Sequence, residues 1–156
     1  MRKCQEAGYP VRVRFSPIIP VKNWREENRE MINLLFSKVK PDVVTIETIR
    51  FLNYEAMCKY FDLSLLDEEF VEVMKNAPRL KHPHGCEVPD DYRKMVYRFI
   101  ISEIERISPD TPYAFCREKR TVWDYFGDDS ARHNQHPDRY ICNCGPTSAP
   151  ATVTQN

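Results

Sequence analysis

Cysteine and histidine side chains near the C-terminus of the chain have the chemistry of metal ligands. Cys116 lies upstream of Cys142 and Cys144, and His133 and His136 lie between them. Thiolates and imidazoles bind zinc, and thiolates also bind iron–sulfur clusters. The last two cysteines are separated by one residue, whereas zinc knuckles separate theirs by two or more. Cys116, Cys142 and Cys144 are therefore candidate zinc ligands of a metal-stabilised interaction module, and ordinary thiols are the alternative interpretation.

Polar and charged residues also interrupt or follow two apolar runs. Ser16 and Pro17 end the first run, Glu47 lies inside the second, and Arg50 follows it. A buried carboxylate is costly unless it has a partner, so we expect Glu47 to pair with Arg14 or Arg50. Such an ion pair is either purely structural or part of a ligand site.

Cationic residues cluster between two prolines in the middle of the chain. The candidates for nucleic-acid binding are Arg79, Lys81 and His82 in this segment, with Arg93 and Lys94 in the helix predicted to follow it. Arginine and lysine side chains supply many of the contacts to nucleic-acid phosphates. The segment is thus interpreted either as a phosphate-contacting loop or as an ordinary solvated loop.

The composition limits the classes of function. Lysine plus arginine and aspartate plus glutamate number 23 each, so the formal net charge is zero, which argues against a polybasic nucleic-acid binder of the histone type. Only 4 glycines occur among 156 residues, and the sequence contains neither a Walker loop nor a Gly-x-Gly-x-x-Gly fingerprint. A hydrophobic fraction of 42% is typical of a globular protein.

The sequence also indicates the cellular compartment in which the protein is expected. No apolar stretch approaches the ~20 residues of a membrane span, and no apolar segment follows the basic residues at the start as in a secretory signal. We therefore expect a cytoplasmic protein without membrane contact, in which the 6 cysteines are reduced thiols.

The elements that must position these residues alternate between strands and helices. Strand patterns cover 11–15, 43–49 and 111–116, and helical patterns cover 23–38, 54–60, 67–76, 89–107 and 121–126. Asn23 stands three residues before Glu26, the spacing of an N-cap with a reciprocal partner. The helix over 89–107 has an apolar stripe made of Tyr92, Val96, Phe99, Ile100, Ile104 and Ile107.

The alternation of strands and helices predicts an α/β fold with parallel strands and outer helices. The carboxyl ends of parallel strands meet at one edge of a sheet, where ligands bind. The residues at the carboxyl ends of the strands, Ser16–Ile19, Arg50–Phe51 and Cys116–Lys119, are therefore expected around one mouth.

Three strands are few for a parallel sheet, which requires cover on both faces and leaves its edges open to pairing. The residues before the first strand resemble the end of a helix capped by Gly8. We therefore interpret 1–126 as the rear part of a larger barrel or sheet, and 127–156 as a cysteine-containing extension with a polar tail.

Several short motifs, taken in order, resemble the C-terminal half of the spore photoproduct lyase family of radical SAM proteins. The similarity runs from about Glu6 to Cys144. The motifs are Glu6-Ala7-Gly8-Tyr9-Pro10, Ser16-Pro17-Ile18-Ile19-Pro20, Val44-Thr45-Ile46-Glu47-Thr48-Ile49-Arg50-Phe51, Lys94-Met95-Val96-Tyr97, Phe115-Cys116-Arg117-Glu118, Val122-Trp123 and Cys142-Asn143-Cys144.

The resemblance implies a partial (β/α)6 barrel that binds S-adenosylmethionine and a 4Fe-4S cluster. Members hold the cluster on a C-x-x-x-C-x-x-C loop and use a 5′-deoxyadenosyl radical to reverse a thymine-dimer lesion in DNA. By this resemblance Ser16 and Pro17 match the strand end beside the bound cofactor, and residues 79–93 match a DNA-contacting hairpin. The candidate cofactor-binding residues are Ser16, Pro17, Ile18, Glu47 and Arg50.

One departure from the family is decisive for function. The sequence contains no C-x-x-x-C-x-x-C, and the first four strands of such a barrel have no counterpart in it. We therefore expect the chain alone to be inactive in radical chemistry and to need the N-terminal half of the barrel, in cis or in trans. The alternative is a nucleic-acid-binding or metal-stabilised interaction module without catalysis.

Overall fold

Three parallel strands form the centre of the computed structural model, which describes residues 1–50, 52–78, 88–116 and 118–126. The strands β1 (Arg12–Ile18), β2 (Val43–Thr48) and β3 (Tyr113–Phe115) lie side by side in chain order. Val13 lies opposite Val44, and Ile46 lies opposite Phe115. Both connections cross over through helices, so the predicted α/β class with parallel strands and helices is confirmed.

The central strand β2 is buried along its whole length. All six of its residues are buried, as expected for a run rich in β-branched side chains that is covered on both faces. Hydrogen bonds on either side tie it to its neighbours: the Val44 amide donates to the Pro112 carbonyl at 2.8 Å, and the Ile49 amide beyond the strand donates to the Ile18 carbonyl at 3.0 Å.

Strand β1 continues past the point at which the sequence predicts its end. Pro17 was expected to stop the strand, but β1 extends to Ile18, with an irregular pairing register between Phe15 and Ile18. Proline has no amide to donate, and among the described strands β1 lies at the edge of the sheet, where one missing donor does not break a ladder. Strand β3 is shorter than its predicted 111–116.

Six α-helices and one short 3₁₀ turn are seen in the described residues. The helices are α1 (Arg2–Glu6), α2 (Trp24–Phe36), α3 (Tyr54–Tyr60), α4 (Glu68–Asn76), α5 (Asp90–Ile107) and α6 (Arg120–Phe126), and the 3₁₀ turn is Leu63–Leu65. Asp67 caps α4 by accepting a hydrogen bond from the Phe70 amide. Asn23, expected to cap α2 in the same way, makes no such bond and has a φ of 60°.

The core lies between the sheet and the long helices α2 and α5. Trp24 of α2 packs edge-on against Phe99 of α5 at 5.1 Å between ring centroids, and Val96, Ile100 and Ile104 of α5 are fully buried. The predicted apolar stripe of α5 is therefore the face that packs inward. None of the described helices is long and apolar enough to cross a membrane.

Helix α1 lies outside this core. None of its five residues, all of which the structure describes, is buried. The side-chain amide of Gln5 donates to the Lys40 carbonyl and accepts from the Lys40 amide, so it imitates a peptide group and ties α1 to the segment before β2.

Candidate functional site

Polar side chains from all three strands meet at the carboxyl edge of the sheet. Ser16 lies near the end of β1, Glu47 lies near the end of β2, and Cys116 directly follows β3. Glu47 Oε2 accepts a hydrogen bond from Ser16 Oγ at 2.5 Å and one from Arg14 Nη2 at 2.7 Å. Arg14 Nη2 also lies 3.1 Å from Cys116 Sγ. We call Arg14, Ser16, Glu47 and Cys116 the Glu47 cluster.

Glu47 stays charged despite its burial. Burial by itself would raise the pKa of this carboxyl group, but hydrogen bonds from Ser16 and Arg14 and the positive charges of Arg14 and Arg50 outweigh it. The net result is a pKa below the ordinary value of 4.5. The partner predicted for Glu47 is therefore present, and it is Arg14, with Arg50 acting only through its charge.

A second group of charged residues surrounds Glu118, just beyond β3. The Glu118 side chain is fully buried, and its Oε2 lies 3.3 Å from Arg50 Nη2 and 3.2 Å from Arg93 Nη2. The hydroxyl of Tyr97 donates to the other oxygen, Oε1. We call Arg50, Arg93, Tyr97 and Glu118 the Glu118 cluster. It joins the end of β2 and the segment after β3 to helix α5.

Tyr97 connects this cluster to the backbone of the sheet. Its hydroxyl oxygen accepts a hydrogen bond from the Thr48 amide at 3.0 Å, at the end of β2. Burial and the negative charge of Glu118 raise the pKa of Tyr97 far above its ordinary value of 10.0. The hydroxyl therefore remains protonated and can donate to the carboxylate.

Asp90 extends the Glu118 cluster toward the surface at the first turn of α5. It pairs with Arg93 at 2.9 Å and with Lys119 at 3.7 Å, and it accepts a hydrogen bond from Thr121 Oγ1 at 2.7 Å. Burial opposes ionisation, but the Thr121 bond and the nearby cations lower the pKa of Asp90 below its ordinary value of 3.8. This arrangement also joins α6 to the start of α5.

The proposed cofactor-binding residues divide between several environments. Ser16 and Glu47 are in contact in the Glu47 cluster, whereas Arg50 belongs to the Glu118 cluster. Pro17 is exposed in β1. The Ile18 side chain is 5% exposed within the hydrophobic core, so its role in the described structure is packing.

The candidates for nucleic-acid binding are not equivalent in position. Arg93 is fully buried in its pairs with Asp90 and Glu118, so its guanidinium does not reach the surface to contact a phosphate. Lys94 is partly exposed, lies 3.4 Å from Asp91, and has its ammonium 5.0 Å from the ring centre of Tyr125. Arg79, Lys81 and His82 lie outside the described residues.

The candidate zinc ligands are only partly described. Cys142 and Cys144, like His133 and His136, lie outside the described residues. Cys116 is buried, with the guanidinium of Arg14 beside its sulfur. Within the part of the chain that the structure describes, no three cysteine, histidine or acidic side chains are grouped as a metal site would require.

Sequence reasoning placed Glu118 near this edge but did not identify the cluster around it. Arg93 and Tyr97 are four residues apart on α5, the spacing that brings two side chains onto one helix face. An arginine at such a position on the apolar side of a helix is a signal for a buried ion pair. The carboxylate that completes it follows β3, and only the fold brings them together.

Comparisons with known proteins do not assign this site. No family model, curated protein or solved structure matches the chain.

Proposed function

We propose that this chain is the C-terminal segment of a spore photoproduct lyase-like radical SAM protein and supplies part of the wall of a partial (β/α)6 barrel. The observation that carries the proposal is the position of Ser16, Glu47 and Arg50 at the carboxyl ends of β1 and β2, where Ser16 contacts Glu47 and the charge of Arg50 acts on it. This is the edge at which α/β barrels bind their ligands. The order of motifs along the sequence adds family-specific support.

The residues at this edge fit the chemistry of S-adenosylmethionine. Both hydrogen bonds that Glu47 accepts from described residues go to Oε2, which leaves Oε1 to accept from a ribose hydroxyl or an amino group. Ser16 and Arg50 add a hydroxyl and a guanidinium, which suit the polar groups of an amino-acid nucleoside. When bound beside a reduced cluster, this cofactor supplies a carbon radical that abstracts hydrogen from a substrate. The role of this chain is to bind and orient the cofactor.

The residues do not fit a 4Fe-4S cluster. Such a cluster is held by thiolates, three of them in the loop of this family, and the sequence has no C-x-x-x-C-x-x-C. Among the described cysteines, Cys4 and Cys58 are exposed and Cys116 is buried, and they form no common site. We therefore propose that a different polypeptide segment, in cis or in trans, supplies the cluster. Lesion-bearing DNA is the substrate that the family resemblance favours for the assembled protein.

Complementation tests this proposal. The full chain is coexpressed with a polypeptide carrying the C-x-x-x-C-x-x-C loop and the first strands of such a barrel, loaded anaerobically with iron and sulfide, and reduced in the presence of S-adenosylmethionine. We expect 5′-deoxyadenosine above the level that the cysteine-loop polypeptide gives alone, and none from this chain alone.

Matched variants separate binding from assembly. Glu47→Gln should weaken the binding of S-adenosylmethionine to the assembled pair in equilibrium dialysis, whereas Glu30→Gln, at an exposed position on α2, should not. Cleavage by this chain alone would overturn the proposal, as would a pair that assembles but gains nothing from this chain.

A further inference from the structure

Arg50 is a buried cation at the mouth of the sheet. It lies two residues beyond the end of β2, and only 8% of its side chain is exposed. Its one ion pair within the described residues joins Nη2 to Glu118 Oε2 at 3.3 Å. A buried charge is stable only when it is paired and its hydrogen-bonding groups are satisfied.

Glu118 cannot accept hydrogen bonds from all the N–H donors of Arg50, because several other groups share the same carboxylate. Oε1 accepts the Tyr97 hydroxyl, and Oε2 lies within 3.3 Å of the Lys119 amide as well as near Arg93 and Arg50. A carboxylate offers about four lone-pair sites, and each guanidinium presents about five N–H donors. The donors around Glu118 therefore outnumber the sites that accept them.

The charges around Glu118 are also unequal in number. Among the described residues, four cations, Arg14, Arg50, Arg93 and Lys119, lie near three carboxylates, Glu47, Glu118 and Asp90. Asp90 pairs with Arg93 and Lys119 but not with Arg50. Glu47 takes its hydrogen bonds from Arg14 and Ser16. Arg50 attracts Glu47 only through its charge and shares Glu118 with Arg93, so it has no carboxylate of its own among the described residues.

The nitrogen atoms of Arg50 confirm this imbalance. Nε and Nη2 are both buried and have no hydrogen-bond partner among the described residues. Leaving charged donors buried without acceptors costs more than leaving neutral ones, and an unsatisfied group of this kind calls for a specific explanation. An oxyanion supplied by a ligand accounts for both the excess charge and the unmatched donors.

We propose that Arg50 binds an oxyanion group, a carboxylate or a phosphate ester, of the ligand that enters at the carboxyl edge of the sheet. A guanidinium suits this task because its planar N–H groups match two oxygens at once. This inference rests on the proposed function for the location of the ligand and adds the charge of the group that the site recognises.

Calorimetric titration of the full chain tests the proposal. Inorganic phosphate and acetate are titrated separately, at an ionic strength held constant with chloride. The anion that binds with the higher affinity identifies the kind of oxyanion that the site recognises. We expect saturable binding that Arg50→Gln weakens at least about tenfold, as for a lost charge-assisted hydrogen bond. Arg98→Gln, which removes an exposed guanidinium of α5, should leave the affinity unchanged.

Two further measurements keep the result interpretable. Arg50→Lys preserves the positive charge but not the planar N–H groups of the guanidinium, so it should bind the anion with intermediate affinity. This variant replaces Arg50→Gln if circular dichroism shows that Arg50→Gln is unfolded. Equal affinity in wild type, Arg50→Gln and Arg50→Lys, or no saturable binding of either anion, would show that Arg50 is a structural ion pair only. Because no cluster or second polypeptide is present, the result is independent of the complementation assay.

Discussion

Glu47 is a carboxylate inside a buried strand that the surrounding side chains keep ionised. Ser16 and Arg14 both donate to Oε2, so the negative charge is balanced by hydrogen bonds as well as by opposite charge. Arg14 is 45% exposed on its side chain, so water screens part of this attraction. The contribution of Glu47 to stability is therefore that of a good hydrogen-bonded pair rather than that of a fully buried ion pair.

Replacing Glu47 with glutamine should destabilise the protein in a pH-dependent way. The folded-state pKa lies below the ordinary value of 4.5, so the stabilising contribution is fully present above about pH 4.5 and is lost as the pH falls through the folded-state value. We expect Glu47→Gln to reduce the free energy of unfolding by about 1–2 kcal/mol at neutral pH. Urea unfolding across the acid range should show the two proteins converging.

Glu30→Gln is the control for this experiment, because it removes a carboxylate at an exposed position of α2. Its effect should stay within about 0.5 kcal/mol at neutral pH. A deficit in Glu47→Gln that is as large in acid as at neutral pH would contradict an ionised Glu47.

Helix α5 is the element on which both the core and the Glu118 cluster depend. Its apolar side chains pack inward, while Arg93 and Tyr97 reach Glu118 from the same helix. The position of the cluster therefore depends on the apolar packing of α5. Loss of that packing should destabilise the whole described fold and not the cluster alone.

Truncating one buried isoleucine of α5 should show this dependence. Ile100 is fully buried, so Ile100→Ala should cost about 2–5 kcal/mol of unfolding free energy through lost burial and the cavity left behind. Ile107, at the end of the same helix, is 36% exposed, and Ile107→Ala should cost about 1 kcal/mol or less. Equilibrium unfolding in urea measures both. Equal losses in the two variants would mean that α5 does not pack as described.

The sequence allowed the main elements to be predicted because their signals are local. The β-branched residues of β2 and the apolar stripe of α5 each identify an element without knowledge of the rest of the fold. The extent of β1 was mispredicted, because Pro17 is harmless only at a sheet edge and edge position depends on strand order. Asn23 has the right spacing for a capping residue, but its backbone is left-handed and its side chain makes no cap bond.

The candidate site was less predictable for a related reason. The pairing of Glu47 with an arginine followed from the cost of burying a carboxylate, and the carboxyl edge followed from parallel strands. The burial of Arg93 did not follow, because a cationic residue near prolines looks solvated until the partner carboxylate, Glu118, is brought to it by the fold. Contacts across many residues of sequence are set by tertiary structure and not by pattern.

At the scale of the whole molecule, protection from solvent falls from the centre of the sheet outward. Strand β2 is covered on both faces and bonded on both sides, whereas β1 lies at one edge of the described sheet. An edge strand can accept another strand. The proposed barrel segment requires such an edge, and this geometry is consistent with it.

Native-state hydrogen exchange should follow this gradient. We expect the amides of β2 to exchange only through opening events close to global unfolding, and those of α1, which buries none of its described residues, to exchange fastest. Mass spectrometry of deuterium uptake in peptides from Val43–Thr48 and Arg2–Glu6 gives the comparison. Similar rates in the two peptides would contradict the central position of β2.

The two hydrogen bonds between Gln5 and Lys40 make the attachment of α1 sensitive to deamidation. The Gln5 amide uses its nitrogen to donate and its oxygen to accept, and both bonds tie α1 to Lys40. Glutamine is among the side chains that are lost on prolonged heating. Deamidation would turn the donor into a carboxylate oxygen facing the Lys40 carbonyl, so that two acceptors would repel each other. Deamidation at this one position would weaken the attachment of the N-terminal helix while leaving the sheet and its polar edge intact.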